Sequence, residues 1–171
     1  MIKLQDLLFE GVFDKGIFKA VFLAGGPGSG KSYVVSQLFG IPKKVNVSVT
    51  GLKSVNSDAE FETLLKKYGF DPEYLDQYPD EVFDDLTGKD GSGLRKFAKS
   101  LTKARKEGYM KGKLGMIIDG TGHNFQKIKK EKKRLEKEGY DTYMVFVNTS
   151  LEVAQKRNQE RDRVLPPDLL E

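Results

Sequence analysis

The chain has no cysteine, a single histidine, and no apolar run longer than a strand. Without cysteine there can be no disulfide, zinc–thiolate site or thiol nucleophile, and a reducing cytoplasm is the expected setting. Runs of that length cannot cross a bilayer, so no membrane partner is expected. The first residues carry no charged stretch followed by an apolar segment and a cleavage site, so no export signal is expected either. What remains is 171 residues, enough for one domain with a real core. The expected organisation is a single domain over 1–171. Residues 1–16 form an N-terminal helix or extension, with an amphipathic stretch at 2–9, and residues 157–171 form the start of a lid.

The net charge of +4 is concentrated rather than spread. Residues 127–138 hold seven Lys/Arg against three Glu, while residues 56–90 hold eleven acidic side chains against three basic ones. That is a polarised surface, not a uniformly basic one. The basic run over 126–137 has few apolar residues, Ile128 and Leu135 the clearest. It reads as an exposed helix anchored by a narrow stripe, with nucleic-acid binding through it as the alternative.

There is no internal repeat and no low-complexity segment. Ile17–Ala24 is a β-favouring apolar run that ends at a glycine cluster, and reads as a buried strand. Val34, Val35, Leu38 and Phe39 mark a helix over 31–39, stopped by Gly40 and Pro42. Residues 45–56 are β-branched and suggest a strand interrupted near Gly51. Ser57 with Glu60 makes a capping box, so a helix should begin at Asp58. The acidic stretch 69–91 contains Gly, Pro and Tyr and reads as loop-rich. Leu94, Phe97, Leu101 and Ala104 have helical spacing. Leu114–Ile118 and Tyr143–Val147 read as strands, separated by a charged helix over 125–138. Thr149 with Glu152 makes a second capping box, opening a helix to about Arg161. Strands alternating with helices, and strands without a polar face, predict an α/β fold: a doubly wound parallel sheet covered on both faces.

Gly25-Gly26-Pro27-Gly28-Ser29-Gly30-Lys31-Ser32 matches the phosphate-loop pattern G-x-x-x-x-G-K-[ST] in full, after a strand and opening a helix. The glycines let the backbone wrap a phosphate with its N–H groups inward, and the helix N-terminus adds partial positive charge. Lys31 is expected to reach the β- and γ-phosphates, and Ser32 to ligate magnesium. The implied ligand is a nucleoside triphosphate with Mg²⁺.

Four further groups are candidates. Asp119 ends an apolar strand, where ligands of doubly wound sheets lie, and could hold a magnesium-bound water or orient an acceptor; as a plain turn aspartate it would do neither. Asp58 could take a proton from an acceptor hydroxyl, or simply stabilise a helix dipole. Arg157 and Arg161 lie four apart on one helix with Arg163 following; they suit charge on a transferring phosphoryl group, or form a solvated helix end. His123 is at most a substrate-side contact.

The phosphate loop after a strand, an Asp early in the next helix, the run MIIDGT and a helix ending R-x-x-x-R resemble the small P-loop kinases. The similarity is to the zeta-toxin-like and polynucleotide-kinase-like phosphotransferases, with chloramphenicol phosphotransferase and adenylate kinase as wider relatives, over residues 17–165. It implies a five-stranded parallel sheet of the P-loop NTPase type with a lid, and transfer of the ATP γ-phosphoryl group to a hydroxyl. It further implies Lys31 and Ser32 on phosphate and magnesium, Asp58 as acceptor-activating base, Asp119 in a DGT-type turn, and Arg157, Arg161 and Arg163 in the lid. In the family a fifth strand and a last helix follow the lid arginines, whereas this chain reaches Glu171. Either it stops before the last strand, or the first β-rich segment fills the sheet differently. Residues 69–91, where an acceptor would bind, match nothing in the family.

A kinase acting on a nucleic acid end, a nucleotide-sugar or another small molecule is thus the leading expectation. An ATPase or NTP-dependent switch, and a nucleotide-binding protein without turnover, are the rivals.

Overall fold

The computed structural model describes residues 16–41, 47–48, 50–88, 92–120 and 122–159. The amphipathic stretch 2–9, Thr121, and the lid arginines Arg161 and Arg163 lie outside the described residues. Four parallel strands form one sheet in the order β2–β3–β1–β4: β1 (Lys19–Ala24), β2 (Lys53–Val55), β3 (Met116–Asp119) and β4 (Asp141–Phe146). Helix α1 (Lys31–Phe39) follows β1, and α2 (Ser57–Lys67) follows β2. A 3₁₀ segment (Pro72–Gln77), α3 (Asp80–Thr87) and α4 (Gly93–Lys111) lead to β3; α5 (Phe125–Lys137) leads to β4, and α6 (Leu151–Gln159) follows it. The fold is that of the P-loop NTPases.

Alternation along β1 divides the core between the two faces of the sheet. Ala20 and Phe22 pack with Met116, Met110, Leu135 and Tyr140 beneath α4 and α5. Val21 and Leu23 point the other way and pack with Ile117, Leu52, Val35 and Phe39 beneath α1. Leu135 is fully buried and Ile128 partly so, which is the narrow stripe that anchors the charged helix α5. A third cluster, Phe61, Leu64, Leu65, Leu75, Leu86 and Ala98, joins α2, the 3₁₀ segment, α3 and α4 away from the sheet.

Four details differ from the sequence expectations. The stretch 69–91 is not mainly loop: Val82, Phe83 and Leu86 turn one apolar face of α3 toward the third cluster. Neither capping box forms as expected. Asn56, not Ser57, caps α2, its Oδ1 accepting from Asp58 N at 2.7 Å. Before α6, Ser150 Oγ accepts from Val153 N at 3.4 Å, one residue beyond Thr149. The cover over the sheet is incomplete at β4, where Tyr143, Met144 and Phe146 are 52, 53 and 66% exposed. The described residues of the β-branched segment before Asn56 supply the short edge strand β2, with an antiparallel bridge from Val47 to Lys53 across the Gly51 turn. Among the described residues, this segment does not extend the sheet beyond β4.

Tyr140 makes the stability of this core pH-dependent. Its ring stacks at a tilt on Phe18, and its hydroxyl donates to Leu114 O at 3.0 Å and Tyr109 O at 3.3 Å. Burial, aided by the charge of Glu138, pushes the phenol up to about 12. An unfolded tyrosine ionises near pH 10, so the folded state holds its proton longer. Stability from this group is complete below about pH 10 and falls as pH rises towards 12, by about 1 kcal/mol at pH 11. Urea melts at pH 8, 10 and 11 should show this loss, and Tyr140→Phe should flatten it. Equal pH dependence in both proteins would assign the loss to other groups.

Candidate active site

The site is assembled at the carboxyl ends of β1, β2 and β3. Leu23 stands in register with Asp119, and the glycine loop begins two residues later. Gly120 N donates to Leu23 O at 3.2 Å, and the Gly122 backbone lies against Ala24, so the turn after β3 is fastened to the root of the phosphate loop.

Glycine is required at two positions in that loop. Gly28 has φ +73°, and a Cβ there would overlap the Ala154 carbonyl of α6. A Cβ on Gly25 would lie 2.5 Å from Val147 O. The loop is therefore clamped between β1 and the segment that follows β4. Gly30 begins α1 without a side-chain cap, and no acidic residue stands in the first turn of that helix. Its first N–H groups and dipole are thus left for an external anion. Ser29 Oγ is buried with no hydrogen-bond partner, an orphan that a bound phosphate oxygen could satisfy. Lys31 Nζ donates to Gly25 O at 2.6 Å and to Gly26 O at 3.1 Å, lying along the loop. Ser32 is exposed at the second position of α1. These features fit a polyphosphate, with Ser32 and Asp119 the residues that would hold magnesium beside it.

Arg157 stands three residues after Ala154, on the same face of α6. Because Ala154 is seated on the loop, Arg157 is carried to it, and its Nη1 donates to Ser29 O at 3.2 Å. A guanidinium thus sits against the phosphate loop.

The two carboxylates are joined by a residue that motif reading missed. Asn56 Oδ1 accepts from the Asp58 backbone N–H, while its Nδ2 donates to Asp119 Oδ2 at 2.8 Å. One asparagine therefore ties the start of α2 to the end of β3. The Asp58 side chain is more than half exposed and forms an ion pair with Arg95 of α4, a second residue the motifs did not reveal. An asparagine immediately before a helix is a recognisable cap in sequence; a partner 37 residues away is not.

Asp119 and His123 line a cleft of about 640 Å³ between α4 and α5, floored by Phe22, Ile118 and Ile128. Asp58 does not line it. Two ion pairs cross between these helices: Lys106 Nζ to Glu131 Oε1 at 2.7 Å, and Arg134 Nη1 to Glu107 Oε1 at 2.7 Å. Glu107 is held below the usual carboxylate range, first by its hydrogen bond to Arg134, then by the fields of Arg134, Lys106 and Lys103. Part of the polarised charge seen in sequence is engaged between helices in this way, since Arg105 of α4 similarly pairs with Glu60 of α2.

A family model described as an AAA domain matches residues 21–166, most of the chain. The chain belongs to this AAA-domain family. Its match begins in β1, just before the phosphate loop, and takes in every site residue named above. No curated protein matches this AAA domain. Among solved structures, one determined in the molecular and structural characterization of the PezAT chromosomal toxin–antitoxin system of Streptococcus pneumoniae is similar. Its TM-score is 0.58 at 15% identity, over 82% of this chain and 51% of that one. The AAA domain therefore spans about half the length of that neighbour, and shares its fold. No helix among the described residues is long and apolar enough to cross a membrane.

Proposed function

We propose that the chain is an ATP-dependent kinase that transfers the γ-phosphoryl group to a hydroxyl of an acceptor seated in the α4–α5 cleft. The observation that carries this reading is the placement of Asp119. It ends the strand beside β1, in register with Leu23 at the root of the phosphate loop, and lines the cleft. A phosphate-binding loop and an open cleft for a second substrate thus share one edge of the sheet. The similarity to the PezAT structure, at the level of fold, is consistent with this arrangement.

In the proposed reaction the acceptor oxygen forms a bond to the γ-phosphorus as the bond from that phosphorus to the β–γ bridging oxygen breaks, and the bridging oxygen leaves with ADP. The acceptor proton passes to a carboxylate: Asp58, which directly follows the cleft residue Ser57, in the first assignment, and Asp119, which lines the cleft itself, in the second. Lys31 and Arg157 hold charge on the phosphates, and Arg161 and Arg163 are assigned to the same task from the lid. Magnesium, held by Ser32 and Asp119, would neutralise charge developing on the phosphoryl oxygens.

The reading is tested by transfer of labelled γ-phosphate to oligonucleotide 5′-hydroxyls, nucleotide-sugars and small alcohols. A labelled product with one acceptor class, and ATP consumption that rises when it is added, is expected. Turnover stimulated by a protein or nucleic acid that stays unlabelled would replace the kinase with an ATP-dependent switch.

A further inference from the structure

Arg95 stands in the first turn of α4, between Leu94 and Ala98, which pack into the cluster shared with α2 and α3. Its guanidinium touches α2 in three ways. Nη1 donates to Ser57 O at 3.3 Å, Nη2 donates to Asp58 Oδ1, and Cζ lies 5.1 Å from the centre of the Phe61 ring. Phe61 is buried in the same cluster, so its ring is a fixed seat for the cation. The Arg95 side chain is 23% exposed and that of Asp58 54% exposed. Arginine is therefore the ordered partner, and the carboxylate is the group that gains order from the contact.

Asp58 is held at two points. Asn56 Oδ1 accepts from its backbone N–H at 2.7 Å, and Arg95 holds Oδ1 of its side chain. Among the described residues, Oδ2 takes no hydrogen bond. An exposed aspartate with no such partner would spread over its staggered rotamers. The second ion pair between these helices has a different form. Arg105 donates to both carboxylate oxygens of Glu60, Nη1 to Oε2 and Nη2 to Oε1, and leaves neither open. Arg95 instead takes one oxygen of Asp58 and sends its other nitrogen to the Ser57 carbonyl. Ser57 lines the cleft, and so does Lys99, four residues after Arg95 on the same face of α4. The open oxygen of Asp58 thus belongs to a pair that borders the cleft.

We propose that Arg95 is a positioning residue for phosphoryl transfer: by holding Oδ1 it fixes Asp58 in one rotamer and leaves Oδ2 to take the proton of the attacking hydroxyl or water. The inference rests on the reading of Asp58 as the base. Through a loose transition state the protein contributes mainly placement, so a cation that aims the carboxylate speeds the step.

The test uses the full chain and single-turnover hydrolysis of ATP labelled at the γ-phosphate, with water as the attacking group. The water oxygen bonds to the γ-phosphorus, the bridging oxygen leaves with ADP, and the proton passes to Asp58. Where the transfer assay described above finds an acceptor, its labelling is read in the same way. The parent, Arg95→Gln, Asp58→Asn and the double variant form a cycle. Arg105→Gln is the control, since it breaks a tether between the same two helices. We expect Arg95→Gln to slow the step by roughly 10- to 10²-fold while the ATP concentration for half-saturation stays constant. Arg105→Gln should stay within about twofold of the parent, and Arg95→Gln should cost less than about twofold when added to Asp58→Asn. A side chain that acts through Asp58 loses its effect with Asp58, whereas one that only joins helices keeps it. If Arg95→Gln unfolds the chain, Arg95→Lys is read in its place with the same expected direction, because lysine keeps the charge but lacks the fork. A parent-like rate in Arg95→Gln, equal slowing in Arg105→Gln, or an undiminished cost in the Asp58→Asn background overturns the proposal and leaves the kinase standing. A parent that neither hydrolyses ATP nor labels an acceptor removes the kinase reading, and an Asp58→Asn variant with the parent rate removes the base; either takes the proposal with it.

Discussion

Lys31→Ala should slow acceptor phosphorylation roughly 10²–10³-fold, about 2.7–4 kcal/mol of transition-state stabilisation. The side chain lies along the phosphate loop on the Gly25 and Gly26 carbonyls, and takes no part in either core of the sheet. Removing it subtracts a cation from the β- and γ-phosphates and two hydrogen bonds internal to the loop. The melting temperature without nucleotide should therefore move little, while the stabilisation that ATP confers on the parent should shrink. Single-turnover transfer of labelled phosphate and calorimetry with and without ATP measure the two quantities. Parent-like turnover in Lys31→Ala would mean that the phosphate loop is not the reacting site.

Asp58→Asn should reduce the transfer rate by roughly 10²–10⁴-fold if Asp58 is the general base, with ATP affinity nearly unchanged. Asparagine has a similar shape but cannot take a proton at neutral pH. In its structural role Asp58 contributes an exposed ion pair with Arg95 and a charge in the first turn of α2. Together these are worth about 1 kcal/mol of stability. The two roles move different measurements, so rate and melting temperature on the same variant separate them. The rate is expected to fall and the melting temperature to shift little. A parent-like rate would transfer the assignment to Asp119, whose Asn variant is then decisive. Asp119 is already coupled to the same helix start through Asn56, so the two carboxylates should be compared in one background.

The parts of the fold that were legible in sequence are those whose signal is local and continuous. β1 and β3 are apolar runs buried in the sheet, and α1 has the predicted bounds, because Gly40 ends it in a left-handed conformation. α3 was hidden because its apolar residues, Val82, Phe83 and Leu86, are few and stand among acidic ones beside Pro79 and Gly88. The capping positions failed by one residue. Asn56 and Ser57 are both good caps, and what distinguishes Asn56 is a second donor that reaches Asp119 across 63 residues. Long-range pairing of that kind leaves no mark on spacing. The phosphate loop was readable because one run of eight residues carries it, whereas the cleft is built from two helices that meet only after folding. Arg157 falls between these cases: its helix was visible, but its seat on Ser29 depends on Ala154 packing against Gly28.

Helix α4 belongs to two separate cores, with Ala98 buried in the cluster of α2 and α3 and Met110 buried under the sheet. It is one unbroken rod of nineteen residues, so the two clusters cannot rotate against each other without tilting it. Lys99 lies eleven residues from Met110, about 16 Å along the axis, and a tilt of about 10° about the Met110 end would move it by roughly 3 Å. That is about the length of one hydrogen bond. Closure of the small helical cluster would thus act as a lever on the wall of the cleft while the phosphate loop, fastened to β1 and α6, stayed in place.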